Sequence, residues 1–262
     1  MISGYGRQFD NFAVLAALLG AIIYGENFAV GLNKRKWLGL LIFGISITIK
    51  HVFFAYPFWL AVKQKGIKEK ITALFLPMLI FLASFLPYIK AAKAQIIRNV
   101  FLYNSSGGTA VLRSLKLVLG EAHGASLAML LFLIALAIFG ILFKKYSNLT
   151  SVLLYSVILL LFASSLANQY LAIAAAAAAV FLNGFFLLYF LVAGAYLISY
   201  MLNWYAWPAN LQGLALPILM LWLGFFQLMF ANFSLNFKTS KTGKFLQTQA
   251  AKLFVKTPNQ NL

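Results

Sequence analysis

LAMLLFLIALAIFGILF, residues 127–143, is apolar on every face of a helix. Its length is close to the ~20 residues that a bilayer-spanning helix needs. A membrane β-barrel would instead show ~10-residue segments in which apolar and polar residues alternate, and no such alternation is present. This stretch therefore predicts a transmembrane α-helix.

The composition extends this prediction to the whole chain. Of the 262 residues 63% are hydrophobic and only 10% are charged, which excludes an ordinary soluble globule. We predict an all-α, polytopic transmembrane helical bundle of about seven to nine membrane segments, some of them short, re-entrant or broken. The bundle would occupy residues 1–231, and residues 232–262 would form a basic cytoplasmic tail. The expected spans are 12–31, 37–62, 71–89, 126–143, 149–166, 211–231 and more than one element within 171–202, where Asn183-Gly184 interrupts the apolar run.

The charge balance is strongly basic, with 21 lysines and arginines against four acidic residues. In a soluble protein this excess would suggest nucleic-acid binding. Here most basic residues lie in short loops and the tail, where the positive-inside bias and anionic headgroups account for them. We therefore predict contact with membrane lipids, no nucleic acid, and a multi-pass location in a bacterial plasma membrane rather than the endoplasmic reticulum.

The sequence offers little for metal or thiol chemistry. It has no cysteine, which excludes disulfides and Cys-based metal sites. Glu121 and His123 stand near each other but without a second ligand cluster at metal spacing. No metal site and no cofactor are expected from this chain alone.

Lys50 and His51 stand side by side in the apolar stretch ISITIKHVFFAYPFWLAV, residues 45–62. A charge at bilayer depth costs ~2.5–3.5 kcal/mol, so it usually has a partner or a task. Lys50 could instead extend its ammonium to the membrane surface, but it stands ~13 residues from either end of its span. We expect Lys50 to meet an anion such as a lipid phosphate; His51 could fill space in the bundle or donate to that anion or to an acceptor hydroxyl.

The distribution of positive charge favours a re-entrant hairpin over one tilted span at 37–62. A single span would leave 8 lysines and arginines on the side of residues 34–36 and 12 on the other. A hairpin of two ~12-residue half-helices, each too short to cross the bilayer, changes this to 14 against 6. Because orientation follows the Lys/Arg bias, we predict the hairpin. The tip at Lys50 would then approach the non-cytoplasmic face.

On that face the hairpin tip would meet three other polar regions. They are the N-terminus, an interfacial loop at 90–125 with two short amphipathic helices, and the polar break at 168–170. Arg113, in the loop, could serve a phosphate, or the basic loop could simply bind headgroups. Arg7 and Asp10 could be an intrahelical pair at i, i+3 and nothing more, or they could belong to the site.

Three stretches resemble one family of membrane enzymes. GYGRQFDNFAVLAALL (4–19), GISITIKHVFFAYPFWLAV (44–62) and NQYLAI (168–173) are similar to the membrane glycosyltransferases of the GT-C fold, in particular the branch that contains the glucosyltransferases of lipid-linked oligosaccharide assembly. Members take a sugar from a polyprenyl-phosphate carrier and transfer it to an acceptor on the extracytoplasmic side. The resemblance implies a substrate-binding set, which consists of Arg7, Gln8, Lys50, His51, Arg113, Asn168, Gln169 and Tyr170.

The chain departs from the family at its start. GT-C enzymes usually carry an acidic catalytic residue in a loop after a first transmembrane helix, and we expect this sequence to begin downstream of both. Asp10 is the only acidic residue near the start and the one candidate catalytic residue. We expect either a C-terminal portion of a longer enzyme or a misplaced start codon. A divalent metal would then require the preceding residues.

The function expected from the resemblance is transfer of a hexose from a polyprenyl-phosphate carrier to a lipid-linked or cell-envelope acceptor. A transporter or lipid flippase would also use re-entrant helices and buried charge, although it usually has paired broken helices in two related halves. A non-enzymatic membrane scaffold would not need Lys50 at depth.

Overall fold

A computed structural model describes residues 10–26, 31–101, 120–163, 166, 168–202 and 211–230. All regular structure in these ranges is helical, which confirms the all-α prediction. The α-helices are α1 (Asp10–Tyr24), α2 (Lys34–Ile49), α3 (Tyr56–Lys63), α4 (Ile67–Ala83), α5 (Ile89–Ile96), α6 (Glu121–Leu142), α7 (Asn148–Phe162), α8 (Ala175–Val180), α9 (Gly184–Met201) and α10 (Leu211–Phe230). Shorter turns are the 3-10 helices His51–Phe53, Phe143–Lys145 and Asn168–Ala172 and a π-helical turn, Ile97–Phe101.

One described helical stretch, Leu127–Lys145, is both long and apolar enough to cross a membrane. Several other apolar helices are shorter, at 10–17 residues. These are Asp10–Tyr24, Asn148–Phe162, Tyr170–Val180, Gly184–Ser199 and Leu214–Met229.

Some predicted boundaries were wrong. The first helix ends at Tyr24 rather than near Gly31, because Gly25 follows with a φ of 75°, a left-handed conformation that does not continue a helix. The helix expected at 71–89 lies at Ile67–Ala83 instead, and Pro87 falls in the turn after it. Of the two amphipathic helices expected in 90–125, α5 and its π-helical turn correspond to the first, and the second falls outside the described residues.

The break predicted at Asn183-Gly184 is confirmed. Helix α8 ends at Val180 and α9 begins at Gly184. Asn183 accounts for the restart, because its Oδ1 accepts a hydrogen bond of 2.8 Å from the backbone N–H of Phe186. This is the pattern of an N-cap, in which a side chain satisfies one of the free N–H groups at a helix start.

Helices α1 and α2 form a tightly packed antiparallel pair. A Cβ added at Gly39 would lie 2.8 Å from the Cβ of Tyr24, so only glycine permits this approach of the two backbones. Toward the other end of the pair, the Ser46 hydroxyl donates a 2.7 Å hydrogen bond to the carbonyl of Ala13. These contacts fix the register that brings the end of α2 beside the start of α1.

The chain reverses direction after α2, as the hairpin prediction required. The Ser46 and Ala13 contact marks one end of the α1–α2 pair, and α3 leads from there back to Lys63 at the other end. The Lys63 ammonium contacts the start of α7 through Asn148, and Asn148 contacts the carbonyl of Gly25, just past the end of α1. The predicted pair of ~12-residue half-helices was wrong, because α2 has 16 residues and α3 has 8.

Aromatic side chains fill the core between α3, α6 and α7. Trp59 is 1% exposed and donates from its indole Nε1 to the Leu136 carbonyl at 2.8 Å. A Cβ added at Gly140 would lie 2.7 Å from this indole, so the glycine on α6 leaves the space that the ring fills. Tyr155 of α7 packs edge to face on Trp59 with ring centroids 5.3 Å apart. Helix α7 is buried along almost its whole length and forms the centre of the described bundle.

Candidate functional site

Lys50 and Asp10 form an ion pair where the end of α2 meets the start of α1. The Lys50 Nζ lies 3.2 Å from the Asp10 Oδ1. Lys50 is the C-cap of α2, and its backbone is extended, with φ −155° and ψ 123°. The hairpin prediction placed Lys50 at the tip between two half-helices, and in the structure it stands at the C-terminal end of α2, just before the 3-10 turn His51–Phe53. The i, i+3 pairing suggested for Asp10 and Arg7 involves a residue outside the described ranges, and the partner seen for Asp10 is Lys50.

The two members of the pair differ in exposure. The Asp10 side chain is 2% exposed, whereas the Lys50 side chain is 22% exposed. Among the residues that the structure describes, the Asp10 carboxylate oxygens accept no hydrogen bond of good geometry, so the Lys50 charge is its main compensation. As the first residue of α1, Asp10 also lies where the helix dipole favours an anion.

The Lys50 ammonium also contacts the ring of Tyr170. Its ring centroid lies 5.0 Å from the Lys50 Nζ, within the range of a cation–π contact. Tyr170 is 7% exposed and belongs to the 3-10 turn Asn168–Ala172. The Lys50 ammonium thus contacts both a carboxylate and an aromatic face, with part of the side chain open.

Two tyrosines of α9 hold this 3-10 turn in place. The Tyr196 hydroxyl donates to Asn168 Oδ1 at 3.0 Å, and the Tyr189 hydroxyl donates to the Leu171 carbonyl. Tyr196 and Tyr189 are each 1% exposed. Because both bonds are made inside the bundle, the position of Tyr170 over Lys50 depends on the packing of α9.

The segment between α2 and α3 is held by Tyr155 of α7. Its hydroxyl donates to the Val52 carbonyl at 2.9 Å and accepts from the Ala55 N–H at 3.3 Å. Its ring stacks on Phe53, with ring centroids 5.4 Å apart. One fully buried side chain therefore satisfies two backbone groups that the irregular segment would otherwise leave unpaired.

The structure brings together four of the residues singled out from the sequence. Lys50 contacts both Asp10 and Tyr170, and Asn168 belongs to the same 3-10 turn as Tyr170. His51 is next to Lys50 and is partly buried. For Gln169 only the backbone, in the same turn, is described. Arg7, Gln8 and Arg113 lie outside the described residues.

Sequence reasoning missed three residues that support this arrangement, namely Ser46, Tyr155 and Tyr196. Each of the three carries a hydroxyl group and lies in a largely apolar helix. A buried hydroxyl needs a hydrogen-bond partner, so each was a recognisable sign of a contact within the bundle. The sequence did not show what the partner was.

A second polar cluster lies at the opposite end of α1 and α2. The Lys63 ammonium donates to the Tyr146 carbonyl at 2.8 Å, the Ser147 carbonyl at 3.3 Å, the Asn148 Oδ1 at 3.2 Å and the Ser151 Oγ at 2.6 Å. Lys63 is 8% exposed, although it falls between the expected spans 37–62 and 71–89. It ties the end of α3 to the start of α7.

Glu69 closes the same end of the bundle. Its Oε1 accepts a 2.7 Å hydrogen bond from the N–H of Gly31. Hydrogen bonds from its own backbone N–H and from that of Gly31 hold the pKa of this carboxyl below its usual value. Lys36 donates to the Gly31 carbonyl at 2.9 Å, so the turn before α2 is held from both sides.

The arrangement around Lys50 is suited to binding an anion. The Lys50 side chain is 22% exposed, and its ammonium has three N–H donors, so a donor that does not face Asp10 can turn toward a phosphate oxygen. Within the described ranges no three His, Asp or Glu side chains are grouped so that they could hold a metal ion.

Comparisons with protein-family models, with curated proteins and with solved structures gave no match to this chain.

Proposed function

We propose that this chain is a multi-pass membrane glycosyltransferase of the GT-C type, or the larger part of one, which uses a polyprenyl-phosphate-linked sugar as its donor. The observation that carries the proposal is Lys50, whose ammonium contacts both Asp10 and Tyr170 and whose side chain is 22% exposed. The three stretches that resemble the family contain all three of these residues.

In the proposed reaction the acceptor hydroxyl oxygen attacks the anomeric carbon of the sugar. The bond from that carbon to the phosphate oxygen breaks, the polyprenyl phosphate leaves with the electron pair, and the hydroxyl proton passes to a base. Lys50 stabilises the phosphate charge as the bond breaks, since a cation placed where negative charge develops lowers the barrier. This role fits Lys50, because its side chain is the more exposed member of the ion pair.

Asp10 is proposed as a positioning residue rather than as the base. Its carboxylate is 2% exposed and lies against Lys50, so an acceptor hydroxyl would have to displace the ammonium to reach it. Its effect on the donor is therefore indirect, through the orientation of Lys50. Asp10, the candidate catalytic residue in the sequence, therefore orients Lys50 and does not take the proton.

The test begins with binding of the carrier. The full chain in lipid nanodiscs is photolabelled with a diazirine polyprenyl phosphate. Lys50→Ala should weaken labelling by about 10–100-fold, the equivalent of the 1.5–3 kcal/mol of a charged hydrogen bond. Lys90→Ala, which removes an exposed lysine of α5, should leave labelling unchanged. Equal labelling of wild type and Lys50→Ala would refute the phosphate site.

A transfer assay distinguishes a glycosyltransferase from a transporter. Membranes that contain the chain receive a radiolabelled polyprenyl-phosphate sugar and an extract of envelope acceptors. Transfer of label to an acceptor, lost in Lys50→Ala, supports the glycosyltransferase. Movement of the intact lipid-linked sugar across proteoliposomes without any transfer would instead identify a flippase.

A further inference from the structure

An apolar groove of about 470 Å³ runs along the bundle surface between α3, α4 and the end of α6. Its walls include Phe58 from α3, Ile71 and Leu74 from α4, and Ile141 from α6. Ile71 and Ile141 are 52% and 51% exposed. The groove is therefore an open surface feature and not part of the packed core.

Two lysines give the groove a positive rim. Lys70 and Lys144 both line it, come from different parts of the chain, and are exposed. Glu69, the neighbour of Lys70, is buried and accepts a hydrogen bond from Gly31, and it is not among the lining residues. The nearest acidic side chain in sequence is thus engaged elsewhere.

Each lysine of the groove lies about one helical turn from an apolar lining residue. Lys144 falls at the end of the membrane-capable stretch Leu127–Lys145, and Ile141 lies about one turn earlier. On α4, Leu74 lies about one turn after Lys70, toward the C-terminal end of the helix. Each lysine thus has apolar lining residues within about one helical turn, so a charged headgroup and an apolar chain can reach the same groove.

We propose that this groove binds an anionic phospholipid, with its phosphate between Lys70 and Lys144 and an acyl chain along the apolar wall. The charge pattern favours a lipid over a partner helix. An apolar helix seated here would bury two ammonium groups without supplying an anion, which is costly, whereas one lipid supplies both the anion and the apolar chain.

This site is separate from the one around Lys50. Lys70 lies at the end of α1 and α2 that Glu69 and Gly31 occupy, opposite the end with Asp10. The inference goes beyond the proposed function, since it requires a membrane location but no glycosyltransferase activity. Positive charge at this end agrees with the positive-inside bias and with the anionic lipids of a cytoplasmic leaflet.

Native mass spectrometry of the detergent-solubilised full chain tests the proposal. The protein is titrated with phosphatidylglycerol and, separately, with phosphatidylcholine of the same acyl chains. Wild type should retain phosphatidylglycerol in preference. Lys70→Ala and Lys144→Ala should each weaken that retention about fivefold, the equivalent of ~1 kcal/mol per lysine near a lipid headgroup.

Control variants show whether lipid retention depends on the groove itself. Lys65→Ala and Lys68→Ala remove exposed lysines of the same segment that do not line the groove, and they should leave retention close to that of wild type. Ile141→Trp should fill the groove and reduce retention of both lipids. Equal retention of the two lipids, or equal losses in groove and control variants, would overturn the proposal. A dimer that dissociates in Ile141→Trp would assign the groove to a second copy and also overturn it.

Discussion

The Lys50 ammonium lies 3.2 Å from the Asp10 carboxylate, an ion pair that joins the end of α2 to the start of α1. The carboxylate side chain is 2% exposed and the lysine side chain 22%. Because one partner is buried and the other partly solvated, loss of the lysine should be the more damaging change. It would leave a buried negative charge without its main compensation.

A double-mutant cycle measures this coupling. Lys50→Met should lower the free energy of unfolding in detergent by about 2–4 kcal/mol, and Asp10→Asn by less, since the remaining lysine can reach water. The double variant should be more stable than the sum of the single effects by at least about 1 kcal/mol. Additive effects would show that the two charges do not interact.

The Tyr155 hydroxyl should be needed to hold the segment between α2 and α3. Tyr155→Phe leaves the Val52 carbonyl and the Ala55 N–H without their partner, which should cost about 1–3 kcal/mol of unfolding free energy. Tyr88→Phe is the control, because Tyr88 is 62% exposed. Thermal unfolding in detergent compares the two. A Tyr155→Phe protein as stable as the control would show that this bond contributes nothing.

Lys63 and Lys65 are two residues apart but should respond very differently to substitution. Lys63→Met removes an ammonium that reaches four acceptors, and we expect a loss of about 2–4 kcal/mol. Lys65→Met changes an exposed side chain and should shift stability by less than about 0.5 kcal/mol. Similar stability of the two variants in a denaturant titration would contradict the buried network.

Glu69 should make the fold sensitive to acid. Its folded-state pKa is lowered, so the stabilisation is present above the unfolded pKa of about 4.3 and is lost as the pH falls through the lower folded value. Glu69→Gln can still accept the Gly31 hydrogen bond but carries no titrating charge. Melting temperatures measured from pH 6 to pH 3 should therefore fall more steeply for wild type than for Glu69→Gln. Parallel curves would show that Glu69 does not contribute to the acid response.

Helix formation and one helix break could be predicted from the sequence, because residues close together in the chain specify them. Long apolar runs predicted helices, and the polar break at Asn183-Gly184 predicted a helix restart that the Asn183 side chain caps. The lopsided charge distribution predicted that the chain returns at Lys50, although it did not give the unequal lengths of α2 and α3.

The family resemblance singled out Asp10 and Tyr170. The sequence by itself determined the helical class, the break at Asn183-Gly184 and the position of Lys50 as an unusual charge in apolar surroundings. These follow from hydropathy and from the cost of placing polar groups among apolar ones, which act over a few residues. Only the tertiary structure decided that Lys50 meets Asp10 and Tyr170, that Tyr155 and Tyr196 hold the neighbouring segments, and that Lys63 is buried. Such pairings depend on helix register and close packing between residues far apart in the chain. A buried polar group shows that a partner must exist, but packing chooses which one.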